Sequence, residues 1–187
     1  MSKLILVTGG ARSGKSAYAE KCVQDIGGHI GYIATAKRTD ADMEKRIAHH
    51  QASRPSEWPT FELYRDFETL LGNDAFMACD TLILDCITIL VTNIMFDCET
   101  DYDAVSMERM NEIEGFIADE IMALIDTAQA MDMDLVVVSN EVGLGLVPPY
   151  RLGNLFRDVA GRMNQMIAAV ADEAYFIVSG LPMQLKG

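Results

Sequence analysis

Short apolar segments alternate with amphipathic ones along this chain, and the alternation predicts an α/β fold with a mostly parallel sheet and helices on both faces. The apolar segments have the length of strands, and the last of them is expected to be the final strand of the sheet. These segments are residues 3–8, 30–35, 61–64, 81–85, 135–139 and 175–179.

Helical periodicity occupies the stretches between these strands. Apolar residues recur there at three- and four-residue steps, most clearly in residues 104–130 and from Leu152 to Val170. The remaining helices are expected at residues 15–25, 40–53 and 88–96, while residues 97–103 and 140–150 are expected to be loops. The helix in residues 40–53 should stop before Pro55, because the residue preceding a proline is pushed out of the helical region.

Length and composition suit one domain, and we expect residues 1–187 to form a single P-loop kinase or nucleotidyltransferase domain. No run of 18 uncharged apolar residues occurs, which argues against a membrane span. The first residues lack the pattern of a signal peptide, so we expect a cytoplasmic protein. We expect Cys22, Cys79, Cys86 and Cys98 to be reduced thiols, because none of them forms a C-x-x-C pair.

Charge is distributed unevenly along the chain. The net charge of -13 argues against nucleic acid as a partner. Residues 1–65 contain ten Lys or Arg and seven Asp or Glu, whereas residues 66–187 contain five and twenty-one. The basic first third would attract an anionic ligand.

That basic third contains TGGARSGKS, from Thr8 to Ser16, directly after the first predicted strand. The spacing from Gly9 to Ser16 is G-x-x-x-x-G-K-[ST], the phosphate-binding loop, whose glycines let backbone N–H groups face a phosphate. In such a loop Lys15 reaches the outer phosphates and Ser16 can ligate Mg²⁺. The loop predicts a bound nucleoside triphosphate, but it does not say whether the phosphates are hydrolysed or transferred.

Asp85 ends the buried segment TLILD, where a carboxylate could hold Mg²⁺ or its waters. It could instead bind a ribose hydroxyl or simply cap the strand. The chain has no N-K-x-D, and its only D-x-x-G lies at the end of the first helix, so a regulatory GTPase is not expected.

Two of the three histidines, His49 and His50, are adjacent in EKRIAHHQASRP. On a helix, neighbouring residues are about 100° apart, so the two rings should face different surroundings. His50 shares the apolar face with Ile47, whereas His49 falls on a polar face beside Arg46. A neutral imidazole there could be a surface residue or a nucleophile towards activated phosphorus. A metal site is less expected, because no third ligand lies near in sequence.

A second polar cluster runs from Asn140 to Gln165, after a buried strand, where doubly wound folds bind their ligands. Its glycines and the pair Pro148 and Pro149 are typical of a shaped loop. This loop could contact a ligand or another subunit.

At this point the sequence resembles a known family, the bifunctional adenosylcobinamide kinase / adenosylcobinamide-phosphate guanylyltransferases of cobalamin synthesis. The resemblance covers nearly the whole chain. It is carried by ILVTGGARSGKS, YIATA, RIAHHQASRP, LILDCIT, SNEVGLGLVP and RLGNLFRDVAGRMNQ.

The resemblance implies two reactions. A nucleoside triphosphate, ATP or GTP, phosphorylates adenosylcobinamide, and GTP then guanylylates an active-site histidine, from which the corrinoid phosphate takes GMP. The guanylylated histidine of the family corresponds to His49. The family is similar to RecA-like P-loop NTPases in its sheet and assembles as a homotrimer.

The resemblance also implies a set of nucleotide contacts, with Mg²⁺ on Ser16 and Asp85. The implied nucleotide-binding residues are Gly9, Gly10, Ala11, Arg12, Ser13, Gly14, Lys15, Ser16, Thr35, Ala36, Lys37, His50, Gln51, Ala52, Ser53, Glu62 and Asp85. Some relatives carry Glu where this chain has Asp85, so contact with ribose and contact with metal both stay open. Two other functions compete with the bifunctional one: a kinase without guanylyl transfer, and a nucleotide-binding protein without transfer chemistry.

Overall fold

The computed structural model describes residues 2–37 and 55–187, whose strands form one seven-stranded sheet. The strands are β1 (Leu4–Gly9), β2 (Ile30–Ala34), β3 (Thr60–Glu62), β4 (Thr81–Asp85), β5 (Asp134–Val138), β6 (Glu173–Val178) and β7 (Leu181–Lys186). Their order is β3-β2-β4-β5-β1-β6-β7, and every neighbouring pair is parallel except β6 and β7. The predicted α/β fold with a mostly parallel sheet is confirmed.

Five α-helices connect these strands within the described ranges. They are α1 (Lys15–Ile26), α2 (Asp74–Met77), α3 (Ile87–Cys98), α4 (Met107–Ala130) and α5 (Arg151–Val170). Two 3₁₀ helices, Phe67–Gly72 and Val142–Leu144, complete the connections. The helix expected in residues 40–53 lies outside the described residues. None of the helices that are described is both long and apolar enough to cross a membrane.

Two hydrophobic clusters lie on opposite faces of the sheet. Ile5, Val7 and Val136 pack with Val23 of α1 on one face. On the other face the strand residues between them, such as Leu6, join the larger cluster beneath α3, α4 and α5. Because successive residues of a strand point to opposite faces, a strand covered on both sides is apolar throughout. This explains why β1, β4 and β5 read as continuous apolar runs.

The sequence predicted that β6 would be the last strand of the sheet, and this prediction was wrong because a further strand, β7, follows it. Ser179 and Gly180 have φ angles of 53° and 82° and turn the chain into β7, which pairs antiparallel with β6. Two residues with positive φ suit the tight turn of a β-hairpin. Every residue of β7 is exposed, so this edge strand lacks the buried apolar pattern by which the other strands were recognised.

Two predicted boundaries were also wrong. Helix α3 continues through Asp97 and Cys98, which were expected to begin a loop. The side chain of Asp97 is tied to Lys37 and Tyr64, and this tertiary contact holds the last turn in place. Helix α4 begins at Met107, three residues later than expected, because the side chain of Ser106 accepts a hydrogen bond from the N–H of Arg109 and caps the helix.

Candidate functional site

The candidate site lies at the carboxyl ends of three neighbouring strands. Strand β1 leads into the predicted phosphate-binding loop, β5 ends beside it, and β4 ends in Asp85 one strand further along. The loop and Asp85 are therefore on the same edge of the sheet. Ligands of parallel α/β sheets bind at this edge, outside the carboxyl ends of the strands.

The loop between β1 and α1 has a backbone that only particular residues tolerate. Arg12 and Gly14 have φ angles of 55° and 96°, and the N–H of Ser13 donates to the carbonyl of Gly10 at 3.3 Å. A Cβ added to Gly9 would lie 2.5 Å from the hydroxyl oxygen of Ser13 and 2.7 Å from the carbonyl oxygen of Ile177. Glycine at position 9 therefore permits the close turn, and at Gly14 it permits the left-handed backbone.

Lys15 begins helix α1 and is only 9% exposed. Its ammonium donates to the carbonyl of Gly10 at 3.2 Å, so the side chain folds back over the loop. The hydroxyl of Ser13 is buried and has no hydrogen-bond partner among the described residues. A buried donor without a partner inside a loop of this type suits an anionic ligand, since the end of the helix also favours negative charge there.

Thr35 joins β2 to the end of β4. Its hydroxyl donates to the carbonyl of Cys86 at 2.8 Å and accepts from the N–H of Cys86 at 2.9 Å. Its carbonyl accepts from the side chain of Asn93 at 2.7 Å. Because Thr35 is fully buried, its side chain supports the segment after Asp85 and is held away from solvent.

Asp85 is partly buried, and one of its carboxylate oxygens accepts a hydrogen bond from the hydroxyl of Tyr32 at 2.9 Å. This bond orients the carboxylate at the strand end. A carboxylate here and the hydroxyl of Ser16 at the start of α1 are both oxygen donors, which Mg²⁺ prefers. Within residues 2–37 and 55–187 no cluster of three or more His, Cys, Asp or Glu could hold a metal ion. Ser16 and Asp85 are not such a cluster, so their contact with Mg²⁺ stays a prediction.

A buried polar group links the ends of β4 and β5. The thiol of Cys86 lies 3.1 Å from the hydroxyl of Thr88, which accepts from the side-chain amide of Asn140 at 2.5 Å. Burial raises the pKa of Cys86 to about 11, and the charge of Asp85 adds to the effect. Cys86 is therefore a neutral structural thiol, and all four cysteines are free.

Lys37 lies at the outer side of this edge, next to Ala36. Its ammonium bonds to Asp97 at 2.6 Å and lies 4.4 Å from the ring centre of Tyr64, whose hydroxyl donates to the same carboxylate. Burial alone would raise the pKa of Asp97, but the bonds from Lys37 and Tyr64 outweigh it and hold the pKa below its ordinary value. Glu62 ends β3 near this group and is exposed.

Five of the predicted site residues cannot be placed relative to this geometry. The proposed nucleophile His49 and four predicted nucleotide contacts lie outside the described residues; these four are His50, Gln51, Ala52 and Ser53. Of the described residues that were predicted to bind the nucleotide, those from Gly9 to Ser16 form the loop and its junctions with β1 and α1, Thr35, Ala36 and Lys37 follow β2, and Glu62 and Asp85 are the last residues of β3 and β4.

The loop after β5 also belongs to this edge. It exposes several apolar side chains, with Leu146 95% exposed, and ends at Tyr150, just before α5. A Cβ on Gly153 would lie 2.6 Å from the ring of Pro148, so the loop packs tightly against the first turn of α5. The side chain of Asn154 donates to the carbonyls of Pro148 and Tyr150. The predicted shaped loop is present.

A cavity of about 660 Å³ lies at the opposite end of the sheet, where β2 begins and where the chain enters β3 and β4. Its walls include Ile30, Trp58 and Cys79. Asp80 binds the N–H of His29 at its rim. The surface is mainly apolar and has no phosphate-binding loop, so the cavity does not resemble the site at the carboxyl ends.

Sequence reasoning missed the polar partners that support the site. Tyr32 was not predicted to orient Asp85, and Thr88, Asn140 and Asn164 were not given individual roles. The available signal was the pair Ser139 and Asn140 directly after an apolar strand, because polar residues at that point of a parallel sheet face the ligand edge.

The family match and the similar proteins agree with one another. Residues 5–185 match the family described as cobinamide kinase / cobinamide phosphate guanyltransferase. The chain is 45% identical over 188 residues to the "bifunctional adenosylcobalamin biosynthesis protein CobU" of Salmonella typhimurium, covering 98% of this chain and 99% of that protein. It is 42% identical to the Escherichia coli protein of the same name, covering 98% and 99%.

A third relative, the "bifunctional adenosylcobalamin biosynthesis protein CobP" of Pseudomonas aeruginosa, is 38% identical, covering 97% of this chain and 96% of its own length. Among solved structures, a KaiC-like protein from Pyrococcus horikoshii aligns with 93% of this chain and 70% of its own at a TM-score of 0.47 and 13% identity. That likeness is too low to carry a conclusion.

Proposed function

The chain belongs to the cobinamide kinase / cobinamide phosphate guanyltransferase family, and we propose that the loop of residues 9–16 holds the nucleoside triphosphate for both reactions. As a member of this family the chain is a transferase that phosphorylates cobinamide and adds a guanylyl group to cobinamide phosphate. The observation that carries the shared-loop proposal is Lys15, buried and folded over the loop beside the buried hydroxyl of Ser13.

In the kinase step, Lys15 and the loop N–H groups hold the outer phosphates and neutralise the charge that develops during transfer. Ser16 and Asp85 are the residues that would hold Mg²⁺, and their oxygen donors fit that ion. When bound, Mg²⁺ neutralises charge on the phosphates. Tyr32 keeps the carboxylate of Asp85 in one orientation through its hydrogen bond.

In the guanylyl-transfer step, we propose that His49 is a covalent nucleophile. The neutral imidazole attacks the α-phosphorus of GTP, the bond to the bridging oxygen breaks, and pyrophosphate leaves. An oxygen of cobinamide phosphate then attacks the same phosphorus, and the imidazole leaves. The support is the sequence EKRIAHHQASRP, whose periodicity predicts His49 on the polar face of a helix, beside Arg46.

The same family membership supports the substrates and the assembly that we propose. ATP and GTP are the nucleotides, and adenosylcobinamide is the corrinoid acceptor. The chain functions as a homotrimer in the cytoplasm, with residues 1–187 forming one catalytic domain and nucleic acid playing no part. The exposed apolar residues Leu146 and Tyr150 in the loop after β5 suit a contact with either the corrinoid or a second subunit.

The test is incubation of the purified chain with GTP that is radiolabelled at the α-phosphate. We expect label on the wild type that is released by acid and stable to base, as for a phosphorus–nitrogen bond. We expect no label in His49→Asn. The matched control is His29→Asn, because His29 is exposed at the amino end of β2, far from the phosphate-binding loop, and this variant should label like the wild type.

GTP labelled at the γ-phosphate should leave no label on the protein. An active wild type that takes no α-label would disprove the covalent intermediate, and so would undiminished labelling of His49→Asn. A kinase without the second activity would form phosphorylated corrinoid but release no pyrophosphate from GTP.

A further inference from the structure

We propose that Glu141 is the general base of the kinase reaction and that Asn164 is the positioning residue that holds it. This inference rests on the proposed use of residues 9–16 for the kinase nucleotide. It concerns the segment directly after β5, to which the function described above gives no chemical role.

The backbone places Glu141 against the phosphate-binding loop. Strand β5 lies between β1 and β4, so its carboxyl end is flanked by the loop on one side and by Asp85 on the other. The N–H of Glu141 donates to the carbonyl of Gly9, the first residue of the loop, at 3.0 Å. On the other side, the side chain of Asn140 bonds to Thr88, at the beginning of α3. The segment is thus attached to both halves of the site.

The side chain of Glu141 is held from behind by Asn164 of α5. Asn164 is 7% exposed, and its carbonyl oxygen accepts from the hydroxyl of Ser139 at 2.5 Å. Its amide nitrogen donates to the carbonyl of Asn140 at 3.1 Å and to the carboxylate of Glu141 at 3.5 Å. All hydrogen-bonding groups of the Asn164 amide are therefore used. A buried amide in a satisfied network keeps one orientation, and so does the carboxylate that it contacts.

A carboxylate at this position suits proton removal from an alcohol. In the kinase step the acceptor hydroxyl oxygen bonds to the γ-phosphorus, and the bond to the leaving nucleoside diphosphate breaks. The hydroxyl proton passes to the carboxylate of Glu141, a residue that is only partly buried.

Two other carboxylates at this edge are held by neighbouring side chains: Asp85 accepts from Tyr32, and Asp97 is bound by Lys37 and Tyr64. A third, Glu62, ends β3, which lies four strands away from β1 in the sheet. The guanylyl-transfer step does not need such a base, because neutral imidazole and an ionised phosphate attack through lone pairs that carry no proton. Replacing Glu141 should therefore lower the rate of the kinase reaction and leave guanylyl transfer unchanged.

The experiment compares the two activities in Glu141→Gln. Phosphoryl transfer from γ-labelled nucleotide to cobinamide should fall by about 10²- to 10⁴-fold in kcat, the usual contribution of a general base. Labelling of the protein by α-labelled GTP should stay within about twofold. The matched control is Glu68→Gln, whose carboxyl is exposed in the 3₁₀ helix Phe67–Gly72 and should keep both activities.

The variant Asn164→Ala tests whether Asn164 positions Glu141 for catalysis or only stabilises the fold. It should lower the kcat of the kinase step with little change in KM. In Glu141→Gln it should have little further effect, because the two residues act through one group. Thermal melting of each variant checks folding. If Glu141→Gln does not fold, Glu141→Asp should give the same split between the activities, with a smaller loss.

Wild-type kinase activity in Glu141→Gln would overturn the proposal, and so would an equal loss of both activities, which would indicate that Glu141 only supports the loop. A failure of the covalent His49 intermediate is distinguishable from these results. It would remove the α-label from the wild type and leave the comparison of kinase rates intact.

Discussion

The two ends of the parallel sheet differ in the groups that they bring together. At the carboxyl ends of β1, β4 and β5 lie a loop with positive φ angles, the buried residue Lys15 and the partly buried carboxylate of Asp85. At the amino ends of β2, β3 and β4, it forms a cavity of about 660 Å³ with mainly apolar walls.

This difference shows that the volume of a cavity does not by itself identify the functional site. The cavity at the amino ends offers room, but its walls are mainly apolar and include the buried core residues Ile30, Trp58 and Cys79. The carboxyl ends offer donors directed at an anion, because α1 begins there and its free N–H groups lie at the end of β1. We therefore expect substitutions at the amino ends to change stability, and substitutions at the carboxyl ends to change catalysis.

The largest effect should come from Phe76→Ala at the amino end. Phe76 is fully buried in α2 and packs edge-on against Phe61, with ring centres 5.5 Å apart. Removing the ring should lower the free energy of unfolding by about 3–5 kcal/mol, as for other buried aromatic side chains. Chemical denaturation measures this, with Met77→Ala as the control, since Met77 is 41% exposed in the same helix. Lost activity per folded molecule would contradict the division between the two ends.

Lys15→Ala should show the opposite behaviour. It removes the main cation of the loop, and kcat/KM for both reactions should fall by about 10²- to 10³-fold, as when a donor to a transition-state anion is removed. The free energy of unfolding should change far less than in Phe76→Ala. Steady-state kinetics and denaturation test this, and Lys21→Ala is the control, because Lys21 lies on the same helix and pairs with Asp25 at the surface. A normal rate for one reaction would show that the reactions use different nucleotide sites.

The smallest effect is expected for Asp80→Asn at the rim of the amino-end cavity. The N–H of His29 donates to Asp80 at 2.8 Å, and this bond lowers the pKa of Asp80 below its ordinary value of 3.8. A lowered pKa stabilises the folded state above the pKa of the unfolded chain, and this contribution is lost as pH falls through the lower, folded pKa.

The melting temperature of Asp80→Asn should therefore lie slightly below that of the wild type at neutral pH. The difference should disappear in acid, once Asp80 of the wild type is protonated in both the folded and the unfolded chain. Asp119→Asn, on the exposed face of α4, should show no such change. A difference that persists in acid would mean that the charge of Asp80 is not its cause.

Much of the fold could be predicted because buried positions recur at a regular spacing in the sequence. The strands β1, β4 and β5 and the helices α4 and α5 were recognised from apolar residues that recur at strand or helix spacing. Strand β7 was missed because all of its residues are exposed, so its sequence has no regular spacing of buried apolar residues. The two additional residues at the end of α3 are stabilised by the contact of Asp97 with Lys37, a residue 60 positions away in sequence.

The candidate site divides in the same way. The sequence by itself determined the phosphate-binding loop, because its glycines and Lys15 act through the local backbone of one strand, one turn and one helix. Its motifs also identified the family, and that resemblance implied His49 as the nucleophile, whereas helix periodicity by itself predicted only that His49 lies on a polar face.

Only the tertiary structure decided which residues meet at the end of β5. Gly9, Glu141 and Asn164 are separated by 132 and 23 positions, and the parallel sheet and helix α5 bring them together through hydrogen bonds. Local periodicity does not encode such contacts, because they depend on strand order. The order of β4, β5 and β1 is what makes Glu141 a candidate for catalysis.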